Sequence, residues 1–173
     1  MKRDVGREAR LLARHPLGWL ACGFGSGLSP WASGTTGSAA AVLLWWLAQA
    51  QHWDGWVLAA TILGTFLLGI WASGHACRVL DTDDAAPIVI DEWVGQWLTL
   101  AMALPFWGAS AGGPLFLLLG FLLFRLSDIV KPWPARTADR QLGGGFGAMA
   151  DDAIAGIYSG AALALLGWSG LGS

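Results

Sequence analysis

Residues 55–77 read GWVLAATILGTFLLGIWASGHAC, without one Asp, Glu, Lys or Arg. A helix needs roughly 20 predominantly apolar residues to cross the hydrocarbon of a bilayer, and this run supplies them. The rest of the composition points the same way. Hydrophobic residues make up 55% of the 173, and charged residues 13%, where about 25% is usual for a soluble domain. Mean hydropathy is +0.53. Twelve Trp and 25 Gly suit a membrane protein, in which Trp gathers at the interfaces and Gly lets helices approach closely.

Working outward, four more runs reach or approach a spanning length. Residues 153–172 (AIAGIYSGAALALLGWSGLG) are the next clearest, and 37–53 (GSAAAVLLWWLAQAQHW) are short but sufficient. Residues 93–107 suffice if Asp91 and Glu92 sit at the helix start. Residues 113–130 suffice if Arg125 and Asp128 lie inside the last turns. The expected fold is all-α: a polytopic membrane helical bundle of about four to five transmembrane helices, forming one domain over 1–173. Residues 16–31 leave re-entrant and spanning readings open, with Gly23, Gly25 and Gly27 favouring a re-entrant or surface segment over a full span. The first residues, MKRDVGREARLLARHPLGW, hold five cations but no long apolar region ending in a cleavage site. They read as a retained basic segment, 1–16, and not as a signal peptide.

Cytoplasmic loops carry an excess of Lys and Arg. Residues 1–14 hold five, the turn around Asp54 none, 78–92 Arg78, the GASAGG turn (108–113) none, and 125–152 four. Every loop fits an N-terminus on the cytoplasmic side. Three polar stretches then share that face: the glycine-rich 23–38, the acidic 78–92, and 124–152, FRLSDIVKPWPARTADRQLGGGFGAMADD. The last holds eight of the 22 charged residues. A site in this protein is expected at the cytoplasmic membrane surface.

Arg125, Asp128 and Lys131 are spaced by three, which places them on one helical face, before Pro132 and Pro134 stop the helix. The bland reading is a salt-bridged helix end with side chains reaching for the interface. Asp91-Glu92 precedes one apolar run and Asp151-Asp152 another. One carboxylate at a helix start satisfies free amides and the dipole. Two adjacent carboxylates at two helix starts exceed that need and repel unless a cation joins them. A hard divalent metal with oxygen ligands is the natural cation, and Mg²⁺ is favoured where phosphate shares the coordination. The runs GFGSG, SGTTGS and LGGGFG could offer backbone amides to phosphate, although each taken singly is more simply a loop or a helix-packing feature.

Other designs fit worse. Phosphohistidine chemistry needs placed histidines, and His15, His52 and His75 are scattered. The Asp-x-x-Asp-Gly-x-x-Ala-Arg pattern of CDP-alcohol transferases is absent. DTDDA (81–85) resembles an aspartyl-phosphate motif but lacks a surrounding βα pattern. Cys22 and Cys77 are too few and too far apart for a disulfide framework or a zinc site. A small ion-coupled transporter using intramembrane Asp/Arg pairs is the main alternative, but it calls for polar residues on both membrane sides, and the outer half of every helix is apolar. A non-catalytic membrane scaffold is the blandest reading.

Several pieces together resemble the phosphatidylglycerophosphatase A family. They are GFGSGLSP (23–30) with GTTGS (34–38), IVIDEWVG (88–95), FRLSDIVKPWP (124–134), and GGGFGAMADDAIAG (143–156). They occur in the family's order; one departure is Ser33, where Pro is usual. The resemblance implies a bacterial inner-membrane, multi-pass lipid phosphatase. It would hydrolyse phosphatidylglycerophosphate to phosphatidylglycerol and phosphate in phospholipid biosynthesis, using Mg²⁺ and no nucleic acid. It implies Asp91, Glu92, Asp128 and Asp152 as catalytic residues, and these four with Asp151 as metal ligands. Arg125, Lys131, Arg140, Thr35 and Ser38 become phosphate binders. Asp84, Asp139, Arg78 and Arg136 form a second tier. Direct attack by water and a covalent aspartyl-phosphate both fit these residues.

Overall fold

The structure is a computed structural model that describes residues 4–49, 54–82, 85–135, 137, 142 and 144–171. Among these residues it is all-helical. Two short helices, α1 (Val5–Leu12) and α2 (Pro16–Ala21), lead into a distorted 3-10 turn at Gly23–Leu28. Five longer helices follow: α3 (Ser33–Gln49), α4 (Gly55–Leu80), α5 (Ile90–Ala103), α6 (Pro114–Val130) and α7 (Gly144–Leu166), the last closed by a π turn at Gly167–Leu171. None of the elements at 16–28 is long enough to span, in keeping with a surface or re-entrant role.

Two helices are long and apolar enough to cross a membrane, Gly55–Leu80 and Gly144–Leu171. The boundaries correct the sequence reading in two places. The third run ends at Ala103 instead of 107, because Pro105 disfavours helix in the residue before it and cannot continue the hydrogen-bond ladder. Two 3-10 turns, Leu104–Phe106 and Gly108–Ser110, follow. The last helix starts at Gly144, not at Asp151-Asp152. Its glycine-rich opening is helix rather than loop, since the missing side chains let it lie directly on α4: a Cβ on Gly145 would strike the Ile70 carbonyl and the Gly74 backbone.

The bundle is apolar outside as well as inside. Outward faces carry Leu43, Leu47, Leu63, Leu67, Leu118 and Leu122, all exposed. Buried positions include Ser73, Gln96, Thr99 and Ser159. An apolar surface of this extent marks contact with an apolar phase or partner.

α5 and α7 pack most closely. They cross at two glycines: a Cβ on Gly156 would stand 2.5 Å from the Gly95 carbonyl oxygen and 2.9 Å from its Cα. One turn below the crossing, the Thr99 hydroxyl lies 2.9 Å from the Gly95 oxygen, 3.2 Å from the Gly156 oxygen and 3.1 Å from Ser159 Oγ. One turn above, at i−4 on each helix, stand Asp91 and Asp152. Small residues at the contact thus bring two carboxylate-bearing helix faces together.

At the opposite end the core is aromatic. Trp107 packs edge-on to Phe116 with centroids 5.4 Å apart, and its indole N–H donates to the Leu163 carbonyl at 2.8 Å.

Candidate active site

The end of α6, the starts of α3, α5 and α7, and the segment before α5 surround one cavity of about 400 Å³. All three polar stretches reach it. Ala32–Gly34 come from the first, Ala85–Glu92 contribute from the second, and Arg125, Asp128, Lys131, Asp151 and Asp152 come from the third.

Asp91 and Glu92 occupy the first turn of α5, as the sequence suggests. Asp91 accepts from the Glu92 N–H at 3.0 Å, within the first turn. Asp151 and Asp152 lie two turns inside α7 and are 4% and 5% exposed. A helix interior has no free amides to cap, so capping does not explain this pair. Carboxylate oxygens of Asp91, Glu92 and Asp152 all lie within 4.8 Å of one another. Glu92 Oε2 is buried without a hydrogen-bond partner. A buried carboxylate oxygen of that kind is costly unless something satisfies it.

The other two acidic residues are held by cations. Asp128 Oδ2 accepts from Arg125 Nη1 at 2.6 Å, and the same guanidinium lies 3.9 Å from Glu92 Oε1. Lys131 does not pair with Asp128 along the helix face, as the spacing predicts. It leaves α6 in a left-handed conformation (φ 46°) with its N–H on the Ser127 carbonyl, and its Nζ reaches across to Asp151 Oδ2 at 2.6 Å. The chain bends there because Pro132 follows, which pushes the preceding residue out of the helical region. The five carboxylates therefore divide into a converging group of three and two that are tied to cations.

The remaining candidates fall differently. Ser38 is fully buried; its hydroxyl donates to the Gly34 carbonyl at 2.8 Å and lies 3.4 Å from Arg125 Nη1. It backs the arginine and does not line the cavity. Thr35 does not line it either. Arg140, Asp84, Asp139 and Arg136 lie outside the described residues, and Arg78 is outside this cavity. Two of the glycine runs are helical openings rather than loops, GTTGS in α3 and Gly144–Gly147 in α7, and Gly23–Leu28 do not line the cavity.

Gly34 matters in a way the sequence reading did not separate from its motif. A Cβ there would run into Glu92 Oε1 and stand 3.0 Å from the Arg125 guanidinium. The first turn of α3, with its free amides and the positive end of its dipole, can abut these two side chains only because residue 34 has none. The signal was present as a Gly directly after a helix-starting Ser, but a second helix is needed to interpret it.

The fold and the cavity define a helical protein that gathers carboxylates and cations around one space. The chain matches the phosphatidylglycerophosphatase A family over residues 19–167. It is 39% identical over 169 residues to phosphatidylglycerophosphatase A of Escherichia coli K12, covering 95% of this chain and 91% of that protein. It is 39% identical over 145 residues to the Haemophilus influenzae protein of the same name, covering 84% and 85%. A Bacteroides thetaiotaomicron relative, named as a candidate phosphatidylinositol-3-phosphatase, is 35% identical over 156 residues, covering 84% and 90%. No solved structure matches. The chain belongs to the phosphatidylglycerophosphatase A family and is a phosphoric monoester hydrolase. The transporter reading finds no support among these relatives.

Proposed function

We propose that the chain is a Mg²⁺-dependent lipid phosphatase that converts phosphatidylglycerophosphate to phosphatidylglycerol and inorganic phosphate in phospholipid biosynthesis. It works as a single domain in the bacterial inner membrane, with four to five helices in the bilayer and the site at the cytoplasmic surface. The observation that carries the reading is the meeting of three carboxylates with Arg125 and Lys131 around one cavity, at one end of an apolar-coated bundle. The names of the E. coli and H. influenzae relatives supply the substrate.

Asp91, Glu92 and Asp152 are the residues that would hold Mg²⁺. An all-oxygen donor set of three carboxylates, one with a buried oxygen lacking a partner, suits a hard dication. When bound, Mg²⁺ supplies charge to the phosphoryl oxygens and acidifies water. The chain's own cations do the rest of the charge stabilisation: the Arg125 guanidinium and the Lys131 ammonium face the remaining phosphoryl oxygens as charge spreads over them. Asp128 lines the cavity outside the group of three and takes the proton of the attacking water. The water oxygen bonds to phosphorus, the bond from phosphorus to the glycerol oxygen breaks, and that oxygen leaves with a proton drawn from solvent.

Phosphate release by the purified protein tests this directly. Phosphatidylglycerophosphate should be hydrolysed in the presence of Mg²⁺ and not after chelation. Phosphatidylinositol 3-phosphate, suggested by the Bacteroides relative, is the competing substrate. Preference for it would overturn the substrate assignment, and absence of release from both would overturn the reading.

A further inference from the structure

A second cavity, about 440 Å³, lies beside the first. Arg78, Asp81 and Thr82 line it from the end of α4, and Gly144 and Gly145 from the start of α7. Gly144 lines both cavities. Among the described residues a Cβ on it would meet no atom within 4 Å. Arg78 Nη1 lies 3.9 Å, and the Gly145 nitrogen 4.0 Å, from the position a Cβ on Gly74 would take. Arg78 is exposed, and its guanidinium and the first-turn Gly145 nitrogen of α7 both border the space beside Gly74. Amides of a first helical turn lack intrahelical acceptors and favour anions. Among the described residues no carboxylate is in ion-pair contact with Arg78.

We propose that this cavity is a subsite for a phosphodiester lying one glycerol away from the scissile phosphate, with Arg78 as its specificity-determining cation. The inference rests on the function proposed above, since such a substrate carries both a terminal monoester and a diester. Six bonds of about 1.5 Å separate the two phosphorus atoms, at most roughly 7–8 Å. Asp152 and Gly145 are seven residues apart on α7, about 10 Å along the axis, which matches that spacing plus the reach from phosphorus to its ligands. The charges differ in the right sense. The first cavity sets Arg125 and Lys131 against a monoester of charge near −2. The second sets one Arg, partly offset by Asp81, against a diester of charge −1.

Phosphatidylglycerol carries the diester without the monoester, and inorganic phosphate the converse, so the pair separates the two subsites. Binding of short-chain phosphatidylglycerol and of inorganic phosphate to the full chain in detergent is measured by calorimetry, for wild type, Arg78→Gln and Arg78→Lys. Arg78→Gln should weaken phosphatidylglycerol by about tenfold or more, the worth of a charge-assisted contact, and leave inorganic phosphate within twofold. Arg78→Lys should recover most of the loss. In turnover the same change should raise KM for phosphatidylglycerophosphate with kcat nearly constant. Unchanged phosphatidylglycerol binding in Arg78→Gln, or equal weakening of both ligands, overturns the subsite. If the wild type releases no phosphate from phosphatidylglycerophosphate, the proposed function fails, while the binding comparison still decides whether Arg78 holds a diester.

Discussion

The two ends of this bundle are made by the same helices and have opposite chemistry. At one end Trp107, Phe116, Leu100 and Leu163 are buried against each other, and the Trp107 indole N–H is satisfied by a carbonyl 2.8 Å away. At the other, carboxylates crowd within 4.8 Å and a buried Glu92 oxygen has no partner. Packing of the first kind stabilises a protein. Like charges drawn together out of water destabilise it. The difference indicates a division of labour, in which the aromatic end holds the helices in place and the charged end spends part of that stability on a site.

The largest effects should come from the charged end and fall on activity. Asp152→Asn is nearly isosteric, and so is Asp91→Asn, which also keeps an acceptor for the Glu92 amide. If both residues hold a metal, each change should reduce turnover by about 100-fold or more, the scale of losing several kcal/mol of charge stabilisation. Both variants should remain folded in detergent. If Asp91 is only a cap, Asn should replace it with little loss, and phosphate-release assays on the pair would then diverge.

Next comes the hinge between the two ends, the Gly95–Gly156 crossing. In an ordinary helix interior Gly→Ala stabilises by roughly 0.5–1 kcal/mol. Here Gly156→Ala puts a methyl 2.5 Å from a backbone oxygen, so it should destabilise by about 1–3 kcal/mol, as overpacking does. It should also lower activity by parting the helices that carry Asp91 and Asp152. Melting and turnover measured on one preparation test both, and a more stable, fully active variant would remove the crossing from the account.

Trp107→Ala should do the reverse of Asp152→Asn. Loss of a buried aromatic side chain costs about 3 kcal/mol or more, yet turnover per folded molecule at low temperature should stay close to wild type. Lys131→Met falls between the ends, because Lys131 is a third exposed while its partner Asp151 is buried. It should cost about 2 kcal/mol, less than a wholly buried pair, and lower turnover. Adding Asp151→Asn should restore stability without restoring turnover. Recovery of both would make the pair structural.

The two ends also allow the proposed orientation to be tested. Cysteine at 110, in the turn beside Trp107, should label from the periplasm in intact cells, and cysteine at 137, beside the charged end, should not. The reverse pattern would put the site on the other side of the membrane.

Much of this was legible in the chain. The apolar runs identified every long helix, because length and hydrophobicity are local properties. Asp91, Glu92, Asp128, Asp151, Asp152, Arg125 and Lys131 were named as site residues from type and spacing, and all seven line one cavity. What spacing could not give was partnership. Asp151 and Asp152 read as a helix start because glycines precede them, but those glycines are helical through contact with α4, a tertiary effect. Lys131 read as a neighbour of Asp128 because three residues separate them; a left-handed turn at 131 sends it to α7 instead. The family resemblance implies Thr35 and Ser38 as phosphate binders; the run that holds them is the first turns of α3, with Ser38 behind Arg125 and neither residue lining the cavity.

The central claim is that Asp91, Glu92 and Asp152 form a Mg²⁺ site, and thermal melting of the detergent-solubilised protein against Mg²⁺ concentration tests it without relying on turnover. A ligand that binds the folded state raises its stability by mass action. The wild-type midpoint should therefore climb with Mg²⁺ and level off. Asp152→Asn should show little or no climb, and in chelator it should melt no lower than wild type, because one of the crowded like charges is gone. A wild-type midpoint indifferent to Mg²⁺, or an Asp152→Asn midpoint that climbs as the wild type does, would contradict the account.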